Sequence, residues 1–110
     1  ELGVWAAHEK SSEDFLGWFH FRPYAHEAGA VELGYRLKRS AWGKGYATEG
    51  SRALLEKGRR ELGVARVVAI TVQANTRSLR VLEKLGMQFE RTFQIETGLE
   101  VVQYGLRWDA

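Results

Sequence analysis

The sequence predicts an α+β fold in which a mixed, mostly antiparallel, twisted sheet carries two main helices. Short stretches rich in aromatic and β-branched residues, bounded by polar or glycine turns, lie toward both ends of the chain. Between them, two segments repeat apolar or small residues at helical spacing, separated by one nearly continuous apolar run. No repeat of about 20 to 50 residues and no low-complexity linker interrupts the order strand, strand, strand, helix, strand, helix, strand, strand.

Each element follows from its residues. Leu2 to Ala7 is short and apolar, Lys10 to Asp14 is a polar turn cluster, and Phe15 to Phe21 is rich in aromatics, so the pair reads as a β-hairpin. Pro23 ends it, and Glu27, Ala28 and Gly29 lead to a third strand, Ala30 to Leu37, in which Leu33, Tyr35 and Leu37 alternate with Glu32, Gly34 and Arg36. Ala47, Gly50, Ser51, Leu54, Leu55, Gly58 and Leu62 then share one helical face of mostly small residues, which allows close approach to a sheet. Gly63 stops that helix, and Val64 to Val72 suits a strand buried on both faces and therefore central in the sheet. Asn75 or Thr76 caps a short helix with a Leu79, Leu82, Leu85 stripe and a stop at Gly86. Phe89 to Ile95 and Val101 to Trp108 flank Gly98 as a closing hairpin.

At 110 residues, with no break in composition, the chain reads as one domain over residues 1–110. The absence of cysteine excludes a disulfide framework, thiolate catalysis and cysteine-type zinc sites, and His8, His20 and His26 are too scattered for a metal-ligand spacing, so no metal is expected. Sixteen basic and 14 acidic side chains give a net charge of +2, which carries no polyanion-binding signal, so nucleic acid is not implied. No apolar run approaches the roughly 20 residues that span a bilayer and no secretion leader is visible, so a soluble, cytoplasmic protein without membrane contact is expected. Glu1 in place of Met suggests a start inside a longer product or after processing.

The most informative stretch is Trp42-Gly43-Lys44-Gly45-Tyr46-Ala47-Thr48, between a strand and the first turn of the long helix. Glycines there allow a tight turn and close backbone approach to a ligand, and the helix start exposes unpaired N–H groups bearing about half a positive charge, which together make a phosphate cradle. The Walker spacing is absent, and so are the third small residue and distal acid of a dinucleotide fingerprint. The plainer alternative is that the glycines only make the turn.

The segment Trp42 to Ala47 resembles the acetyl-CoA-binding signature of the GNAT N-acetyltransferases, Gln/Arg-x-x-Gly-x-Gly/Ala, with Gly45 and Ala47 at its two small positions. Trp42 departs from the first position but is similar to the RimJ/RimL-like branch of ribosomal-protein and amino-acid N-acetyltransferases. Leu33-Gly34-Tyr35, Ala47-Thr48-Glu49, Asn75-Thr76-Arg77-Ser78 and Val81 to Met87 extend the likeness from about residue 15 to the end. The resemblance implies a GNAT-like fold, acetyl-CoA as acetyl donor, an amine-bearing acceptor such as a peptide N-terminus, an amino acid or a small amine, and direct transfer with no acyl-enzyme. It also implies a cofactor-binding set of Tyr35, Arg36, Leu37, Trp42, Gly43, Lys44, Gly45, Tyr46, Ala47, Thr48, Asn75 and Ser78. In that set the amides of Gly43 to Ala47 hold the pyrophosphate, while Tyr35, Arg36 and Leu37 pair through backbone with the pantetheine arm. A strand that splays from its neighbour before the glycine turn would leave such backbone groups unpaired.

Acetyl transfer needs a neutral amine, a stabilised oxyanion and a proton for the thiolate. The resemblance implies Ser78 as the acid, although Ser78 in a first helical turn also suits a cap. Asn75 suits either a pantetheine contact or the cap, and the backbone N–H of Leu37 suits the oxyanion. For the base, Glu32 stands where several members of the family carry a glutamate; in a dry cleft its pKa would rise toward neutrality, and on a wet strand it would be an ordinary carboxylate. Glu96, near the last hairpin, is the rival. Tyr46 and Tyr104 read as packing residues, and Trp5, Trp18, Phe19 and Phe21 as core and strand pairing. Arg77, Arg80 and Lys84 fall on the solvent side of the second helix, where one could meet the 3′-phosphate of CoA. Lys57, Arg59 and Arg60 are an exposed helix end without assigned function.

A complete fold of this family begins with a strand and two helices that supply much of the acceptor pocket. The chain therefore reads as N-terminally truncated, with its cleft open or rebuilt by a partner subunit, and an exposed sheet edge would favour a homodimer. Two functions stand side by side: an acetyl-CoA-dependent N-acetyltransferase, and a CoA-binding module without turnover that regulates or docks. A nucleotide-binding regulator is disfavoured because no magnesium-holding Ser or Thr follows Lys44 directly.

Overall fold

The computed structural model describes residues 3–108; Glu1 and Leu2, the latter expected to open the first strand, lie outside the described residues. In chain order it contains β1 (Gly3–His8), β2 (Phe15–Pro23), β3 (Val31–Leu37), a 3-10 turn (Arg39–Ala41), α1 (Tyr46–Glu61), β4 (Arg66–Thr71), α2 (Thr76–Lys84), β5 (Gln88–Gln94) and β6 (Glu100–Arg107). The six strands run β1-β2-β3-β4-β6-β5, and every neighbouring pair is antiparallel except β3 and β4. This is the mixed sheet with two helices that the residue pattern predicts.

Period-2 alternation decides which aromatics enter the core. On β2, Phe19 and Phe21 are buried against α1, whose small face admits them: the Phe19 ring lies on Gly50 and the Phe21 ring on Gly58, where a side chain would have no room. Leu54, Leu55, Val67, Ala69, Leu82, Met87, Val102 and Tyr104 complete that core. Trp18 keeps its expected strand pairing, opposite Arg36 and Ala6, but points the other way and is 49% exposed, which corrects its expected place in the core. Val67, Val68 and Ala69 are all buried, as a central strand covered on both faces requires.

Two local features position the site. Asn75 caps α2, its Oδ1 accepting from the Ser78 N–H at 3.1 Å, which fixes the helix start and the direction of Ser78. β3 and β4 pair only over Val31↔Val67 and Glu32↔Val68, whereas β2 follows β3 as far as Leu37. The sheet therefore opens as a wedge beyond Glu32.

Candidate active site

The wedge exposes one edge of β3. The Lys38 N–H bonds the Leu16 carbonyl, and this register gives Arg36, Gly34 and Glu32 the hydrogen-bonded positions toward β2. Tyr35 and Leu37 consequently turn their backbone groups into the gap. Of the three residues expected to pair with an extended ligand through backbone, these two have the orientation. Arg36 is corrected on that point: it lines the cleft, but its backbone hydrogen-bonding groups belong to the β2 ladder.

The gap continues into a cleft of about 420 Å³ bounded by β3, the glycine turn, the start of α1 and one face of α2. Gly43 and Gly45 adopt φ of 74° and 84°, a left-handed geometry that side chains disfavour. Gly45 is the N-cap of α1, offers no side chain to the helix, and accepts the Glu49 N–H at 2.9 Å. The amides of Tyr46, Ala47 and Thr48 therefore have no intrahelical acceptor, at the positive end of a 16-residue helix. All the residues expected to bind the carrier line this cleft except Lys44, which does not.

Trp42 holds the turn to β3. Its Nε1 donates to the Leu37 carbonyl at 3.0 Å, and its ring faces the guanidinium groups of Arg77 at 4.5 Å and Arg39 at 5.4 Å. Arg77, Arg80 and Lys84, expected on the solvent side of α2, line the cleft instead. Their i, i+3, i+7 spacing is the signal that one helical face carries all three toward a single neighbour.

At the inner end, the Tyr35 hydroxyl and Ser78 Oγ lie 3.0 Å apart. Burial, set against the Ser78 hydrogen bond, holds the Tyr35 phenol above its usual pKa, so it stays protonated and able to donate. Tyr35, Asn75 and Ser78 also line a second cavity of about 220 Å³, which extends to Glu32 and His20. Glu32 is 14% exposed and pairs with Arg22 at 3.2 Å. Glu96 sits exposed in the β5–β6 turn and lines neither space. Tyr104 packs in the core as expected, and Tyr46 packs against that core while lining the cleft and donating to Glu9 at 3.1 Å, tying the β1–β2 hairpin to the glycine turn. Among the described residues no cluster of three or more His, Cys, Asp or Glu side chains could hold a metal, and no helix is long and apolar enough to cross a membrane.

The sequence model of the acetyltransferase (GNAT) domain matches residues 1–88. YkkB of Bacillus subtilis (strain 168) is 36% identical over 94 residues, which are 84% of this chain and 55% of that protein. The N-acetyltransferase p20 of Bacillus licheniformis is 35% identical over 81 residues, 74% of this chain and 46% of its own length. The chain thus spans about half the length of the curated relatives it matches. Among solved structures, a GNAT-family acetyltransferase from Bacillus anthracis superposes with a TM-score of 0.85 at 27% identity, covering 94% of this chain and 65% of that one. Ribosomal-protein-S5-alanine acetyltransferase from Vibrio fischeri, at 17% identity, shares the fold with a TM-score of 0.86 over 98% of this chain and 62% of its own. On the strength of the matched domain and the shared fold, the chain belongs to the GNAT acetyltransferase family.

Proposed function

We propose that the protein transfers the acetyl group of acetyl-CoA directly to a primary amine, with acceptors of the RimJ/RimL kind, a peptide N-terminus or a small amine, as the substrate class. The observation that carries this reading is the wedge between β3 and β4, which connects three unpaired helix-start amides at one end to the Tyr35–Ser78 hydroxyl pair at the other. The donor set fits the carrier. The amides and the cations of Arg77, Arg80 and Lys84 suit phosphate groups, and the free backbone of Tyr35 and Leu37 suits an amide-bearing arm.

In this arrangement the amine attacks the thioester carbonyl, the Leu37 N–H receives the oxyanion, and the C–S bond breaks with its electron pair passing to sulfur. Ser78 gives its hydroxyl proton to the thiolate and recovers one through Tyr35. Glu32, at the far side of the smaller cavity, supplies negative charge where an ammonium would enter.

Two measurements test the reading. Acetyl-CoA should raise the melting temperature, equivalent to about 2.7 kcal/mol at a concentration about 100 times Kd, and Gly45→Val should abolish the rise. Thiol release with a panel of amines and free-N-terminus peptides should fall about 100-fold in Ser78→Ala with the thermal shift retained. Stabilisation without turnover toward any amine would leave a CoA-binding module in place of an enzyme.

A further inference from the structure

His20 does not line the carrier cleft. It is the sixth of the nine residues of β2, on the face opposite α1, half-buried, with its ring lying directly on Gly34 of β3, where a side chain would occupy the same space. Its Nε2 is buried and has no hydrogen-bonding partner among the described residues. Leaving an imidazole nitrogen buried without a partner is costly, and such a group in a native fold calls for an explanation. The ring lines the 220 Å³ cavity that ends on Tyr35, Asn75 and Ser78.

We propose that His20 is the proton acceptor for the amine substrate, so that the smaller cavity is the acceptor end of the cleft and Glu32 attracts the ammonium without taking its proton. This rests on the acetyltransferase reading above. The charged groups facing the ring are Arg22 on its own strand and Glu32 on β3, while Ile70 and Thr71 of β4, Asn75 before α2, Ser78 of α2 and Val4 opposite on β1 are uncharged, and the Tyr35 phenol is protonated. Burial, aided by Arg22, holds the His20 pKa below its ordinary value of 6.5, so the ring is neutral at pH 7 and able to accept. The Glu32 carboxylate is already engaged by Arg22 at 3.2 Å, whereas the His20 Nε2 has no partner among the described residues.

The protons balance. The ammonium loses one to His20, the resulting amine attacks the acetyl carbonyl, a second reaches sulfur through the Ser78 hydroxyl, and the third stays on the amide nitrogen. The His20 proton then leaves to solvent, giving acetylated amine, free thiol and one proton.

The test compares wild type, His20→Gln, His20→Asn and Glu32→Gln in kcat/KM against pH, with acetyl-CoA-induced melting shifts as the control. The expected result is a loss of about 100-fold in both His20 variants at pH 7 with the melting shift intact. Their acid limb should also move up toward the pKa of the amine itself. A second readout needs no turnover: the ¹⁵N signals of the His20 imidazole, in protein saturated with CoA, should move when butylamine is added. If both His20 variants keep the wild-type rate and acid limb while Glu32→Gln loses them, Glu32 is the base and the proposal is overturned. If CoA stabilises the protein but butylamine leaves the imidazole signals in place, the proposal falls while the cofactor reading stands. If acetyl-CoA gives no melting shift, the acetyltransferase reading itself fails, and His20's role with it.

Discussion

Tyr35 and Ser78 meet at 3.0 Å although 43 positions separate them in the chain, and that one contact links the strand that would hold the carrier to the helix that would protonate it. Tyr35→Phe removes the hydroxyl and keeps the ring, which packs at 5.8 Å from Phe19. Stability should change by about 1 kcal/mol, and kcat should fall about tenfold or more with the acetyl-CoA melting shift unchanged; steady-state rates beside thermal shifts decide it. An unaltered kcat would mean that Ser78 works without this partner. The residues legible in the sequence are those whose role is local: Gly43 and Gly45 mark the turn, and Asn75 and Ser78 stand three apart as cap and capped amide. Tyr35's hydroxyl, His20's unpaired nitrogen and the Arg22–Glu32 ion pair arise from cross-strand and strand-to-helix neighbours, for which spacing gives no sign. The Arg77, Arg80, Lys84 stripe was legible in principle. It reads as solvent-facing until the glycine turn is known to lie against that face of α2.

Helix α1 shows how an element's composition sets its distance from the sheet. Phe21 is fully buried, and its ring occupies the space beside Gly58, where an added Cβ would come to 2.6 Å from the ring. Gly58→Ala gains about 1 kcal/mol of helix propensity but overpacks a rigid contact at a cost of about 1–3 kcal/mol. The variant should therefore be destabilised by up to about 2 kcal/mol, seen as a lower urea midpoint at unchanged m. Adding Phe21→Leu should recover part of the loss, and additive losses in the pair would break the argument. The small-residue face predicted that close approach correctly, and the strands appear where alternation and turn residues place them. Their ends differ for physical reasons. Val64 is held back by its N–H bond to the Gly58 carbonyl, and the Val72 carbonyl accepts from Asn75 in the turn before α2, so β4 is shorter than the apolar run. The insertion of β6 between β4 and β5 and the early parting of β3 from β4 follow from long-range pairing, which no local pattern encodes.

Across the whole molecule, the closed end of the wedge is clamped by charge. Arg66, at the start of β4 and 12% exposed, pairs with Glu27 of the β2–β3 loop at 3.2 Å and with Glu90 of β5 at 2.6 Å, and Glu90 also accepts from buried Gln103, which in turn accepts from Tyr24. The Arg66 hydrogen bonds hold both carboxyl groups below their ordinary pKa of 4.5. The unfolded chain therefore takes up protons first as pH falls. The clamp's contribution is complete above about pH 4.5 and is lost as pH drops through the lower folded values. Arg66→Met leaves the two carboxylates beside each other, Glu27 keeping only Arg107 at 3.9 Å. Removing one partner of a buried pair costs about 3–5 kcal/mol, and the partial exposure of Glu27 and Glu90 lowers this to about 2–3. The variant should lose that much stability at pH 7 and show a shallower decline between pH 4.5 and acid than wild type, because its carboxylates no longer release protons preferentially on folding. Urea titrations at several pH values measure both, and parallel acid declines would show that the clamp does not set the pH response. The pair Val31↔Val67 lies immediately beyond Arg66, so the same loss should let β3 and β4 part further and weaken acetyl-CoA binding from a distance. A variant that unfolds more easily yet binds the carrier as tightly as wild type would separate the stability of the sheet from the width of its opening.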